Sequence, residues 1–274
     1  MEKHPPALTN DTYFSPEAQA YYMSTSQFKA FKACEAAALA EIEGRYTRPQ
    51  TPALLVGSYV DAYFEGSLNS FKENHQEIFK KDGSLKAEYI QAERIISRLE
   101  RDELYMLLMS GRKQVIQTGT IAGVPYKIKI DSLLDETVCL KIAQRFPGAR
   151  QALGFCDGAI VDQKIMRDTQ DMWSAEEGIY VPFVQAWGYD IQGAVYQEIH
   201  GGMLPFILAV GTKEEEPDVK AVCISNSLLS VRLDEVERLS PRYQAIKRHK
   251  IEPEGCGRCP YCRCQKRLTE IEMI

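Results

Sequence analysis

The chain has 274 residues, 45% of them hydrophobic and 26% charged, with a formal net charge of −5; it is long enough to bury a full core. Its longest apolar stretch, around 204–210, falls well short of the roughly 18–20 residues a membrane span needs, and MEKHPPALTN has no apolar signal-peptide centre. A cytoplasmic location without a membrane partner is therefore expected, and the acidic balance alone neither indicates nor excludes nucleic acid.

In chain order, Ser15-Pro16-Glu17 marks a helix start, and Ser24 or Ser26 caps a longer helix predicted to run to about Glu43, closed by Gly44. Gln27, Phe31, Cys34 and Ala38 share one face of it by their spacing. A third helix is predicted over 53–65, with Gly57 and Asp61 one turn apart. A long helical segment over 85–109 carries Ile95, Ile96 and Leu99 as its apolar stripe.

The period then changes to two. Segments 115–121 and 124–134, joined at Gly123, read as a hairpin in which Tyr126, Ile128 and Ile130 alternate with Lys127, Lys129 and Asp131, giving one buried face. An irregular stretch over 137–156, helical around 140–145, leads to a short strand over 159–165. Pro182 starts a helix ending near His200, with Phe183, Trp187, Ile191 and Val195 as its apolar face and Gln185, Tyr189, Gln192 and Tyr196 as a second stripe. Strands over 204–212 and 219–225 and a helix over 229–250 follow. The order implies an α/β sandwich on a mixed sheet.

On the strand AIVDQK, Asp162 and Lys164 project to one face, and an Asp131 ending a neighbouring strand could converge on the same point. Two carboxylates and a backbone carbonyl are the hard oxygen donors that Mg²⁺ prefers, and a lysine beside them can orient or help deprotonate a water. Such triplets arise often by chance as surface pairs, so the triplet alone is a weak signal. Gln192 and Tyr196, taken alone, read as an ordinary hydrogen-bonding pair on an amphipathic helix. Asp61, within LLVGSYVDAYFE, is expected to be partly buried and so to need a partner or a metal.

Of the eight cysteines, Cys256, Cys259, Cys262 and Cys264 crowd into GCGRCPYCRCQK, which reads as a metal knuckle. Four ligands from that cluster would suit zinc; three with Cys34 would suit an iron–sulfur cluster. Cys139, Cys156 and Cys223 sit in or beside apolar runs and read as structural. Arg238, Arg242, Lys247, Arg248, Lys250, Arg258, Arg263, Lys266 and Arg267 make the last quarter basic, either as a solvated face or as a phosphate-contacting surface.

The stretches MSTSQFKAFKACEAAALAEIEG, ALLVGSYVDAYFEG, IAGVPYKIKIDSLL, AIVDQKIMRD, WGYDIQGAVYQEI, LPFILAVGTKEEEPD and CGRCPYC, in that order, resemble the RecE-like (exodeoxyribonuclease VIII-like) exonucleases of phages and prophages. These belong to the PD-(D/E)XK superfamily, which also holds RecB- and AddB-type nuclease domains. The resemblance implies a restriction-endonuclease-like core at 113–250, a helical region at 1–112 packed on it and a cysteine-rich tail at 251–274, integrated as one domain. It implies a Mg²⁺- or Mn²⁺-dependent exodeoxyribonuclease resecting duplex DNA ends for phage-type recombination in a bacterial host cytoplasm. A single-strand annealing protein and a ring-shaped homo-oligomer are the implied partners.

By the same resemblance, Asp131, Asp162 and Lys164 are catalytic. Asp61, Asp131, Asp162 and the Gln163 main-chain carbonyl hold the metal, and Gln192 and Tyr196 form a Gln-x-x-x-Tyr signature that contacts DNA or supports the site. Cys34 with Cys256, Cys259 and Cys262 would hold a 4Fe–4S cluster stapling the chain ends, or zinc would be held with Cys264. Relatives in the RecB-like branch carry histidine where Asp61 stands, and the cysteine spacing here is tighter than theirs. Two other readings stand beside this one: a catalytically silent DNA-binding or scaffolding relative, and a zinc-knuckle adaptor.

Overall fold

The computed structural model describes residues 4–48, 52–174, 178–267, 271 and 273. The chain begins with α1 (Pro16–Tyr21), α2 (Thr25–Ala33), α3 (Glu35–Ile42), α4 (Pro52–Glu65), α5 (Leu68–Asn74), α6 (Ala87–Glu100) and α7 (Glu103–Leu108). Strands β1 (Arg112–Ile121) and β2 (Val124–Asp135) lead through α8 (Glu136–Arg145) and α9 (Arg150–Leu153) to β3 (Gly158–Met166). Then come β4 (Met172–Ser174), β5 (Ile179–Val181), α10 (Phe183–Ala186), α11 (Tyr189–His200), β6 (Phe206–Thr212), β7 (Val219–Ile224), α12 (Asn226–Lys247) and α13 (Pro260–Gln265). Among the described residues, no helix is long and apolar enough to cross a membrane.

Contacts group the chain into two compact units. One comprises Met1–Pro49, Thr118–Lys127 and Asp234–Ile274; the other comprises Gln50–Gln117 and Ile128–Leu233.

Three expected helices are each two. The one expected over 24–43 starts at Ser24, whose hydroxyl accepts the Gln27 N–H at 3.3 Å, but Cys34 is extended (φ −169°, ψ 108°) and splits it into α2 and α3. The segment over 85–109 breaks at Asp102, whose carboxylate caps α7 by accepting the Tyr105 N–H at 2.9 Å. The helix expected from Pro182 breaks at Gly188, whose φ of +62° is costly for any residue with a Cβ. That break turns Trp187 out to water, so only Phe183, Ile191 and Val195 of its expected apolar face are buried.

The five-stranded sheet has the order β1-β2-β3-β6-β7. Strands β2 and β3 are antiparallel with Ser132 opposite Val161, β3 and β6 are parallel with Asp162 opposite Leu208, and β6 and β7 are antiparallel. Every residue of β6 is buried, as an apolar strand covered on both faces requires. Helix α4 packs on α6 and β3, and α11 packs on β6. Gly193 permits that last approach, because a Cβ there would stand 2.7 Å from the Phe206 ring. The mixed sheet flanked by helices matches the expected class.

In the first unit, the hairpin turns through Ala122 and Gly123, both at positive φ, the type I′ geometry that suits twisted strands. Lys127 overturns the expectation of a polar outer face at its position. It is buried, with its ammonium donating to the Tyr13 carbonyl and lying 4.5 Å from the Tyr13 ring centroid. The sequence periodicity gave no warning of α5 or of the β4–β5 hairpin.

Candidate active site and cysteine centre

The antiparallel ladder between β2 and β3 ends at Ser132 and Val161. One step further on, the Asp131 carboxylate takes over the role of a main-chain acceptor and receives the Gln163 N–H at 2.9 Å. Asp131 therefore stands across from Asp162, where residues of an antiparallel pair share a face. Lys164, two residues along β3, forms an ion pair with Asp162 and donates to the Gln163 carbonyl at 3.2 Å. Helix α11 closes this side: Gln192 donates its amide to Asp162 at 2.6 Å, and the Tyr189 ring centroid lies 5.5 Å from the Lys164 ammonium. Tyr196, one turn on from Gln192, donates its hydroxyl to the Lys129 carbonyl at 3.1 Å and so holds β2 two residues before Asp131.

The Gln163 side chain projects to the opposite face, as alternation requires. There its amide nitrogen donates to Asp61 on α4 at 2.8 Å, and its oxygen accepts the Tyr105 hydroxyl at 2.9 Å. Asp61 thus approaches from the α4 side, linked to β3 through Gln163. A small cleft opens beside these groups, lined by Asp61, Glu65, Lys113, Gln114, Asp131 and Gln163 among others. Gln114 lines it at a φ of +51° and directs its amide nitrogen at Asp131, 3.4 Å away.

The electrostatics follow from burial. Desolvation, then the Asp162 charge, pushes the Asp131 carboxyl up to about 7, while Lys164 and the Gln163 N–H oppose the shift. Asp61 is pushed up to about 6 mainly by burial, against the Gln163 hydrogen bond and the Lys164 charge. Burial also opposes a charge on Lys164, but Asp162 and Asp131 outweigh it and raise its pKa, so it remains an ammonium. Asp131 and Asp162 beside one lysine, with Asp61 across β3 also within the lysine's field, leave excess negative charge at a set of hard oxygen donors. That donor set fits a divalent ion such as Mg²⁺.

Of the residues that the sequence reading put at this site, Asp61, Asp131 and Lys164 bond to Gln163, Asp162 precedes it on β3, Gln192 reaches Asp162, and Tyr196 reaches the Lys129 carbonyl. Tyr105 and Gln114 were not anticipated. Tyr105 looks in sequence like one more apolar residue of a short helix, and the backbone conformation of Gln114 leaves no trace in the sequence. The buried Asp190, which accepts from Arg232 at 2.6 Å at the start of α11, was also missed.

In the other unit, the Sγ atoms of Cys34, Cys256, Cys259 and Cys262 all lie within 4.8 Å of one another, while Cys264 on α13 is exposed and outside the group. The Cys34 Sγ is 3.5 Å from that of Cys262 and 3.8 Å from that of Cys259, and Cys256 and Cys262 are 4.0 Å apart. The extended backbone at Cys34 detaches its thiol from the helix face it was expected to share. Main-chain N–H groups of Arg258 and Cys259 lower the Cys256 thiol to about 6, favouring the thiolate that binds metal. Cys139 is buried and Cys156 half-buried, but Cys223 is exposed.

Two members of the basic run serve the fold. Arg242 pairs with Glu35 through two bonds of 2.7 and 2.9 Å and with Glu254. Lys247 donates to the Gln19 and Tyr22 carbonyls and to the Gln27 side chain at 2.8–2.9 Å. Both cationic groups are thus engaged by partners within the protein.

The chain is similar to a solved structure from Eubacterium rectale named "putative exonuclease", with 41% identity over 98% of this chain and 97% of that one and a TM-score of 0.84. No curated protein matches it. Residues 24–145 and 154–265 match the model of the PDDEXK-like domain of unknown function (DUF3799). With most of its length matched, the chain belongs to this PDDEXK-like family.

Proposed function

We propose that this protein is a Mg²⁺-dependent (or Mn²⁺-dependent) DNA exonuclease that resects duplex ends. The observation that carries this reading is the convergence of Asp131, Asp162 and Lys164 on the Gln163 peptide. Asp131, Asp162 and the Gln163 carbonyl would hold the ion, which when bound supplies Lewis-acid stabilisation of charge developing on the phosphate, while Asp61, expected as a further ligand, instead bonds the Gln163 side chain on the opposite face of β3.

The chain's own groups do the rest. The Lys164 ammonium orients the attacking water or a phosphate oxygen, and its pairing with Asp162 keeps it from wandering. Gln192 fixes the Asp162 carboxylate, and Tyr196 fixes the strand that presents Asp131. Both act as positioning residues. The resemblance to RecE-like exonucleases extends the reading to 5′-to-3′ digestion in phage-type recombination, with an annealing protein as partner and a ring-shaped homo-oligomer in the host cytoplasm.

The cysteine centre is read as a single tetrahedral ion, zinc. Bonds of about 2.3 Å at tetrahedral angles put sulfurs about 3.8 Å apart. The separations of 3.5–4.0 Å support that geometry, whereas an iron–sulfur cluster needs room for its own atoms between the thiolates.

The test is digestion of linear duplex DNA with Mg²⁺ by the wild type and Lys164→Ala. The variant is expected to lose roughly 10²–10⁴-fold in rate. Equal digestion by both would sink the assignment.

A further inference from the structure

Strand β1 begins with an irregularity beside the candidate site. Gln114, its third residue, has a φ of +51°, a left-handed conformation that is costly for a residue with a Cβ. Consecutive side chains of a regular strand point to opposite faces, so only one of Lys113 and Gln114 could then line the cleft. Both do. The left-handed residue breaks the alternation, and strain of this kind persists only where the surroundings enforce it.

The surroundings here are specific. The Gly111 N–H donates to the Ser132 hydroxyl at 3.0 Å, and that hydroxyl donates to the Leu108 carbonyl at 2.8 Å, so the chain entering β1 is tied to β2 beside Asp131. The Lys113 ammonium donates back to the Met109 carbonyl. From this anchored segment Gln114 aims its amide nitrogen at Asp131 Oδ1, 3.4 Å away, while the Gln163 N–H donates to Asp131 Oδ2 at 2.9 Å. Each oxygen of the carboxylate therefore has its own donor.

The Gln114 carbonyl oxygen is buried with no hydrogen-bond partner among the described residues. Reversing the amide would aim that oxygen at a carboxylate, so Asp131 dictates the orientation. A side chain that takes a strained backbone and leaves a buried acceptor unsatisfied is not placed there for its own stability.

We propose that Gln114 is a positioning residue of the candidate metal site, locking the plane of the Asp131 carboxylate so that it is presented to a divalent cation. Tied at Oδ2 alone, the carboxylate could still turn about its bond to Cβ; the second donor removes that freedom. Partners that orient a metal ligand in this way typically change affinity for the ion by about 10–100-fold. The proposal deepens the nuclease reading above and rests on it for the reaction served.

The test compares the full-length wild type, Gln114→Met and Gln114→Gly in two Mg²⁺ titrations, one of melting temperature and one of the rate of digestion of linear duplex DNA. Methionine keeps the side-chain length and the strained backbone but has no donor. Glycine removes the donor and relieves the strain. Both variants should need roughly tenfold to a hundredfold more Mg²⁺ for the half-maximal melting shift and for half-maximal cleavage. Saturating Mg²⁺ should restore most of the rate. Metal-free Gln114→Gly should melt at or above the wild-type temperature, since its backbone accepts the left-handed conformation freely.

Melting temperatures that fall in both variants with unchanged Mg²⁺ midpoints mean a purely structural role and overturn the proposal. So does a cleavage defect that saturating Mg²⁺ leaves in place. The two readings can fail separately. A wild type whose Mg²⁺ melting shift depends on Gln114 but which leaves linear DNA intact refutes the nuclease reading alone. Variants that match an active wild type in both titrations refute the positioning role alone.

Discussion

The Gln163 N–H donates to the Asp131 carboxylate at 2.9 Å, at the step where β2 and β3 stop exchanging main-chain hydrogen bonds. A side chain thus completes a sheet, and the same carboxylate faces Asp162. Structure and chemistry meet in one group, and the two roles are separable. Asp131→Asn keeps an oxygen acceptor for Gln163 while removing the charge. The variant should fold with a melting temperature close to or above that of the metal-free wild type, yet lose the rise that Mg²⁺ produces in the wild type. Thermal melts with and without Mg²⁺ check this, and a full Mg²⁺ shift in Asp131→Asn would remove it from the ligand set.

The metal-free site should make stability depend on pH. Asp131 is pushed up to about 7 and Asp61 to about 6 in the folded state, mainly by burial, against about 3.9 for an unfolded aspartate. Between roughly pH 4 and 7 the folded protein therefore binds protons that the unfolded chain has released, so stability falls as pH rises through that window. With EDTA present, the denaturant midpoint should be lower at pH 8 than at pH 5. Adding Mg²⁺ at pH 8 should recover the difference. A midpoint that is flat or rises from pH 5 to pH 8 contradicts the arrangement.

Tyr196 and Gln192 should differ from Lys164 in how their loss is felt. Tyr196→Phe removes one hydrogen bond to the Lys129 carbonyl, at a cost in stability of about 1 kcal/mol. Because that bond steadies the strand bearing Asp131, Mg²⁺ affinity and DNA cleavage should fall roughly tenfold to a hundredfold, the scale of groups that orient metal ligands. Raising the Mg²⁺ concentration should restore much of the Tyr196→Phe activity and none of the Lys164→Ala activity. Metal titrations of cleavage separate the two, and a Tyr196→Phe defect insensitive to Mg²⁺ would point to direct contact with DNA.

The cysteine centre should hold one zinc ion per chain. Cys34→Ser and Cys262→Ser should each lose it and melt at lower temperature, and Cys264→Ser should do neither, since its thiol lies outside the group. Elemental analysis of the purified variants checks the ligand set. A brown wild type absorbing at about 400 nm would replace zinc with an iron–sulfur cluster.

How much was legible in the sequence follows physical range. The hairpin, β3, β6 and the packing stripe of α6 were readable because alternation and helical spacing are local. Helix breaks at Cys34, Asp102 and Gly188 were not, because each is settled by what the broken segment must reach. Cys34 leaves its helix toward the C-terminal thiols, and the break at Asp102 lets Tyr105 reach Gln163. Lys127 misled for the same reason: its charge predicted solvent, and the Tyr13 carbonyl and ring supplied a buried partner from over a hundred residues away.

By itself, the sequence determined which residue types were available for chemistry: carboxylates at 61, 131 and 162, a lysine two places on, and a knuckle of cysteines. Spacing along a strand or helix constrains direction only within that element. Tertiary structure alone decided that Asp131 meets the Gln163 peptide, that Asp61 arrives on the opposite face through the Gln163 side chain, and that Cys262 rather than Cys264 joins Cys34. Each of these depends on the register between elements distant in sequence, which is set by burial of whole faces and leaves no short-range signature.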